Sequence, residues 1–233
     1  AFVNGGAIRA DIAAGDVTYE DIINVHPFGN ELCVAKVTGQ EILDALEMGA
    51  MNYPEESGGF LQVSGMTYTI DASVPSSVVT NAEDEFAEVS GKYRVKDVTV
   101  GGEPLDTEKT YTLASHNYML KSGGDGYSMF RGNTILRDSV MLDNEVLINY
   151  ITETLGGVIG EEYADPRGEG RITILSGSAE QPGTEEPGTE ESETGDFTDV
   201  ADGAWYAEAV DYVTENRYFN GVSDTLFDPE GTM

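Results

Sequence analysis

The chain has 233 residues, with 12 lysines and arginines against 43 aspartates and glutamates, for a formal net charge of −31. Such an excess of negative charge, with the few cations scattered, disfavours a nucleic-acid polymer as partner, and no run of 18 or more apolar residues exists that could form a membrane-spanning helix. A hydrophobic fraction of 39% with 12 Tyr, 8 Phe and 28 Gly is enough for a core, so the length predicts one sizeable domain and a smaller piece.

In chain order, Phe2-Val3 reads as a strand running into Asn4-Gly5-Gly6, and Val17-Thr18-Tyr19-Glu20-Asp21 opens a short helix. Glu31 to Val37 alternates like a strand. Thr38-Gly39-Gln40 then opens a helix to Met48, with Ile42, Leu43, Ala45 and Leu46 on the apolar side, Glu41, Asp44 and Glu47 on the polar side, and Gly49 as the stop. Strands are expected at Leu61–Val63, Met66–Ile70, Tyr93–Val100 and Thr110–Ser115, with Gly101-Gly102 as a turn. A helix over Asn144–Leu155 and a strand over Arg171–Leu175 complete a mixed α+β domain, residues 1–175.

Two shorter segments follow. Residues 176–195 repeat Pro-Gly-Thr-Glu-Glu, carry six acidic and no basic side chains, and contain Ala179 as their one apolar residue; this composition cannot offset the entropy of folding and reads as an acidic linker. Residues 196–233 predict a short helical tail with Trp205, Ala209, Val210 and Val213 as its apolar stripe. About 40 residues cannot hold a core alone, so this tail is expected neither to fold stably nor to attach to anything by itself. Ala1 opens within a motif and no leader precedes it, so the chain reads as an excised fragment.

Catalytic groups are scarce. His26 and His116 read either as hydrogen-bonded turn or strand-end residues or as catalytic groups, and neither stands in a metal-binding or metalloprotease spacing. A Gly-x-Ser-x-Gly elbow and a P-loop lysine motif are both missing. Cys33, the sole cysteine, lies in an apolar alternation and is expected to be buried. What remains is a set of glycine-flanked polar residues beside aromatics: Asn4 to Arg9, Pro27 to Asn30, and Ser115 to Tyr127, where three glycines free the backbone around Asp125. Each could be a turn or a ligand contact, and an arginine such as Arg9 has the fork geometry for carboxylate or phosphate.

Four of these motifs carry a resemblance. NGGAIR at 4–9, HPFGN at 26–30, SGGFLQVSGM at 57–66 and SGGDGY at 122–127 together resemble the C-terminal domain of the 5′-nucleotidase family, which includes UDP-sugar hydrolases and 2′,3′-cyclic nucleotide phosphodiesterases. The resemblance implies a nucleotide-binding domain whose partner, an N-terminal metallophosphatase domain with two divalent metal ions and the catalytic residues, is missing here. The fragment itself is then expected to need no cofactor and to be inactive alone. By the same resemblance Arg9 contacts phosphate, Asn4 lies by the base, Phe28 and Tyr118 sandwich the base, Asn30 and Gly58 line its edge, and Asp125 accepts from the ribose hydroxyls. Tyr118 lies seven residues before Asp125, one more than in several family members, which leaves Met119 as a competitor for the stacking position.

The tail carries a second resemblance. Phe197-Thr198-Asp199-Val200, Trp205-Tyr206, Gly221-Val222 and Phe227-Asp228-Pro229 resemble the first part of an S-layer homology repeat. Such repeats attach exported proteins to cell-wall polymer, which implies an extracellular, wall- or S-layer-associated protein of a Gram-positive-type bacterium. The competing expectation is a non-catalytic cell-wall or adhesion module that uses the same fold as scaffold.

Overall fold

A computed structural model of the chain describes residues 1–163 and 170–175; the acidic segment 176–195 and the tail 196–233 lie outside them, and with them the expected tail helix. The described elements are β1 (Phe2–Asn4), α1 (Tyr19–Val25), β2 (Leu32–Thr38), α2 (Gly39–Gly49), β3 (Leu61–Val63), β4 (Met66–Asp71), β5 (Val78–Thr80), β6 (Phe86–Val89), β7 (Val95–Val100), β8 (Glu103–Pro104), β9 (Thr110–His116), α3 (Asn117–Leu120), β10 (Ile135–Arg137), α4 (Asp143–Asn149) and β11 (Ile172–Leu175). This is the mixed α+β class that the sequence predicts.

The helices predicted to open near Thr18 and at Thr38 both start where their chemistry says. Thr18 accepts from the Asp21 backbone N–H while the Asp21 carboxylate accepts from Thr18, and Thr38 and Glu41 repeat that exchange at the start of α2. Each box satisfies two N–H groups that a helix start leaves without partners. The helix expected over Asn144–Leu155 instead begins at Asp143 and loosens after Asn149 into a wider turn, with the Leu155 N–H donating to the Tyr150 carbonyl.

The strands form two main sheets. In one, β2 lies between β10 and β9, antiparallel to both, with Leu32 opposite His116 and Thr38 opposite Thr110. In the other the order is β11-β4-β7-β8, with β11 parallel to β4 and the remaining pairs antiparallel. Two small antiparallel pairs, β1 with β3 and β5 with β6, complete the set. The core gathers Ile42, Ala45 and Leu46 of α2, Cys33, Ala35 and Val37 of β2, Tyr68 and Ile70 of β4, and Leu113 of β9. Each large aliphatic side chain so buried contributes about 1.5–3 kcal/mol.

One expectation fails inside α2. Glu47, assigned by the helical period to the polar face, is 0% exposed. Its carboxylate accepts the backbone N–H of Arg94 on both oxygens at 3.0 Å and that of Val95 at 2.8 Å. These contacts sit at the start of β7, which begins at Val95 and not, as expected, at Tyr93, and the buried Arg94 guanidinium turns to the carbonyls of Ala50 and Tyr53 at 3.1 and 2.9 Å.

Candidate functional site

Three glycine-bearing loops meet at one place. β1 delivers Asn4, and the turn after it approaches the 57–60 loop closely: Gly5 N–H donates to the Phe60 carbonyl at 2.8 Å and Gly6 N–H to the Gly58 carbonyl at 2.7 Å. A β-carbon at Gly6 would stand 3.2 Å from that Gly58 oxygen, a crowded approach that favours glycine at this position. The third loop is attached by Tyr127, a fully buried ring whose hydroxyl donates to the Gly59 carbonyl at 2.5 Å.

Asp125 stands at the exposed tip of that third loop with φ at +54°, between Gly124 and Gly126. Its carboxylate takes one protein donor on each oxygen: Tyr118 OH at 2.8 Å on Oδ1 and Asn4 Nδ2 at 2.5 Å on Oδ2. The Asp125 backbone N–H donates back to the Tyr118 hydroxyl at 3.2 Å. Partial burial raises the Tyr118 phenol pKa, and the bond to Asp125 with its negative charge raises it further, so the phenol stays a donor. Gly124 lies flat against the Tyr118 ring: a β-carbon there would fall 2.2 Å from Cζ.

Asn4 is 4% exposed, and its other amide atom, Oδ1, lies 3.0 Å from His116 Nε2. His116 is buried at the end of β9, and burial lowers its pKa below the usual histidine value against the opposing influence of Asp143 and Asp125, so the ring is neutral. It lies beside Tyr118, with ring centroids 6.0 Å apart. Sequence reasoning reached His116 only as a strand-end residue or a catalytic group; its link to Asn4 joins positions 112 apart, and no local signal carries it.

Arg9 and Phe28 form a separate pair, the guanidinium carbon 5.9 Å from the ring centroid, with both side chains exposed. The Arg9 backbone N–H is held by the Val25 carbonyl at the end of α1. Asn30 sits between Phe28 and a reciprocal clamp in which Glu31 N–H donates to Asn117 Oδ1 at 3.1 Å and Asn117 N–H donates to the Glu31 carbonyl at 2.8 Å. That clamp brings the 27–30 turn beside α3, which carries Tyr118. Thus Asn4, Tyr118 and Asp125 are directly bonded, Gly58 joins them through backbone, and Arg9 with Phe28 stands as its own pair. Met119 is 0% exposed and packs in the core, where Ser115 Oγ lies 3.6 Å from its sulfur, whereas Tyr118 is 39% exposed.

Beside this cluster lies a cavity of about 430 Å³ lined mainly by apolar side chains, among them Phe2, Ile8, Leu32 and Val146, with His26, His116 and Asp143 at its wall. A second, of about 850 Å³, lies between residues 12–19 and the 148–159 segment. Among the described residues no group of three or more His, Cys, Asp or Glu could hold a metal ion. The donor set therefore does not fit the two-metal centre that the sequence resemblance assigns to a partner domain.

Comparison with known proteins gives the family. The family model described as the 5′-nucleotidase C-terminal domain matches residues 1–132, and that of the S-layer homology domain matches residues 196–233. The trifunctional nucleotide phosphoesterase protein YfkN of Bacillus subtilis is 34% identical over 177 residues, covering 74% of this chain and 11% of that protein. UshA of Escherichia coli is 30% identical over 169 residues, covering 72% of this chain and 26% of that protein. Among solved structures, the 5′-nucleotidase precursor from Thermus thermophilus is 34% identical with a TM-score of 0.61, covering 76% of this chain and 31% of that one. The chain thus spans less than a third of the length of these relatives.

Proposed function

Since this chain belongs to the family of the 5′-nucleotidase C-terminal domain, we propose that it is the nucleoside- or nucleotide-binding domain of a larger phosphoric-ester hydrolase carried at the cell surface. In this reading residues 1–175 bind the substrate, residues 176–195 are a linker, and the S-layer homology segment 196–233 belongs to the attachment of an extracellular protein to cell-wall polymer. The observation that carries the reading is Asp125: an exposed carboxylate fixed by Asn4 and Tyr118, with an exposed aromatic ring bonded to it. An ionised carboxylate has about four acceptor positions, and two of Asp125's are taken by protein donors, which leaves one on each oxygen for the two hydroxyls of a ribose.

The remaining roles follow from the chemistry of the side chains. The rings of Tyr118 and Phe28 offer faces on which any base stacks, worth about 1–3 kcal/mol per contact. Arg9, exposed beside Phe28, supplies a guanidinium for phosphate. Asn4 holds the ribose-binding carboxylate from beneath, while Asn30 and Gly58 border the base. Hydrolysis belongs to a metallophosphatase domain, the proposed intramolecular partner, which would hold the two divalent ions; no step of that chemistry is assigned to these residues. An adhesion module without substrate would have no use for a fixed carboxylate beside an exposed ring. Calorimetric titration of the 233-residue chain with adenosine, paired with a phosphate-release assay on AMP with added Mn²⁺ or Zn²⁺, tests the reading. Binding without turnover is expected; absence of binding, or metal-dependent turnover by the chain alone, refutes it.

A further inference from the structure

We propose that His116 is a positioning residue for the ribose subsite: through Asn4 it fixes how Asp125 presents its oxygens, and so sets the preference for ribose over 2′-deoxyribose. The inference rests on the nucleoside-binding reading and extends it to a buried side chain behind Asn4.

The hydrogen bonds leave a single consistent arrangement. A carboxylate only accepts, so the amide group facing Asp125 must be the Asn4 NH₂, as the 2.5 Å contact from Nδ2 has it. Asn4 Oδ1 is thereby turned to His116 Nε2 at 3.0 Å, and an oxygen acceptor there requires the imidazole to donate. The ring is neutral in its buried place and has one proton to give, which must sit on Nε2. Nδ1 is then the unprotonated nitrogen, and it is buried without a hydrogen-bond partner among the described residues. The Nε2–H tautomer of His116 locks the Asn4 amide against a flip, and the locked amide places its donor on Asp125 Oδ2, while Tyr118 holds Oδ1. With the loop backbone set by Gly123 and Gly126, both at positive φ, the remaining freedom of the carboxylate is rotation about its side-chain bonds, which these two donors remove. One free lone pair is left on each oxygen, the pattern that two adjacent hydroxyls match and one hydroxyl does not.

Removing the His116 donor frees the Asn4 amide and, with it, Oδ2. Affinity for a ribonucleoside then falls, while affinity for the 2′-deoxy analogue, which engages the carboxylate through one hydroxyl, changes little. The test is titration of the 233-residue chain with adenosine and with 2′-deoxyadenosine. Wild type is expected to prefer adenosine by about 10- to 100-fold, the range of a hydrogen bond to a charged acceptor. His116→Gln, whose side-chain nitrogen reaches the position of Nε2, retains that preference. His116→Asn, which is too short to reach Asn4, reduces it to within about 3-fold with little change for the deoxy analogue. Preference retained in His116→Asn, or equal loss for both nucleosides, overturns the inference alone; failure of wild type to bind adenosine overturns the nucleoside reading and this inference with it. A readout without ligand or substitution is the tautomer itself: long-range ¹⁵N–¹H spectra of the wild-type chain should show His116 protonated at Nε2, and protonation at Nδ1 overturns the proposal even if the variants do not fold.

Discussion

Replacing Glu47 by leucine should unfold this domain more readily than its place on a helix suggests. The carboxylate is 0% exposed and is the acceptor for two backbone N–H groups at the entry to β7, those of Arg94 and Val95, at 2.8 to 3.0 Å. Burial raises the carboxyl's pKa even though those two N–H groups and the Arg94 charge pull it down, which marks the group as desolvated and held. Leucine fills the space but accepts nothing, so two buried N–H groups lose their partner at about 1–3 kcal/mol each. The buried Arg94 guanidinium, still bonded to the Ala50 and Tyr53 carbonyls, also loses the nearby negative charge. These costs share one site and do not simply add, so the expected loss is about 3–5 kcal/mol, a large part of a typical domain's stability of about 5–15 kcal/mol. Glu47→Gln keeps one carbonyl oxygen but turns an NH₂ toward the other donor, and should cost less, about 1–3 kcal/mol. Urea unfolding followed by circular dichroism at neutral pH ranks the three proteins. A Glu47→Leu variant as stable as wild type, or a glutamine variant worse than the leucine one, would refute the reasoning.

Tyr118→Ala and Phe28→Ala should each weaken adenosine binding by about 1–3 kcal/mol, whereas Met119→Ala, at a core position, should cost about 2–5 kcal/mol of stability and leave the adenosine Kd nearly unchanged; the opposite pattern would make Met119 the stacking residue. Gly124→Ala sets a methyl group 2.2 Å from the Tyr118 ring, so the ring must move: calorimetry should record a loss of adenosine affinity with little change in Tm, and full affinity would show that the loop does not hold the ring. His116 has its pKa lowered by burial, with His26 acting in the same direction and Asp143 and Asp125 against it. Its neutral form is the folded one, so stability is complete above the unfolded value near 6.5 and falls as pH drops through that value and then through the lower folded one. Denaturant midpoints measured from about pH 7 down to pH 5 should therefore fall less steeply in His116→Gln than in wild type.

Legibility in the sequence followed the range of the interactions involved. The start of α2 could be read because Thr38 and Glu41 are three residues apart, and β2 because it alternates over seven residues, whereas the alternation of β9 breaks at its end, where Ser115 and His116 are both buried. Glu47 was misassigned because a helical period sorts residues by polarity, and the need of Arg94 and Val95 for an acceptor arises 47 residues away. The strands β5, β6 and β10, of three or four residues each, are not read from the sequence, and each is completed by a partner elsewhere in the chain: Ile135 of β10 lies opposite Ala35. At the site, the motif residues could be picked out by resemblance, but their mutual bonds could not. Asn4 lies 112 residues from His116 and 121 from Asp125, and nothing in either local stretch states that an amide will join them. The spacing around Tyr118 left Met119 open; the single turn of α3 separates them, sending one ring outward and one thioether into the core.

The same distances explain how the site keeps its shape with so little regular structure in it. Because β2 runs antiparallel to β9 with Leu32 opposite His116, the turn that enters β2 and the helix that leaves β9 must emerge at the same end of one sheet. Pairing of β1 with β3, Asn4 opposite Leu61, places the end of the first beside the start of the second in the same way. Three ties then fasten the loops where they emerge: the Glu31–Asn117 exchange, Gly6 N–H to the Gly58 carbonyl, and Tyr127 OH to the Gly59 carbonyl. Every one of them uses backbone on at least one side, and none uses Phe28, Tyr118 or Asp125. Tyr118 and Asp125 add their own link, bonded to each other and, through Asn4, to the end of β1, whereas Phe28 takes part in none of these bonds. Of the side chains proposed to meet a nucleoside, Phe28 is therefore the one that can be exchanged without loosening the loops, while a change at Tyr118 or Asp125 alters both contact and frame.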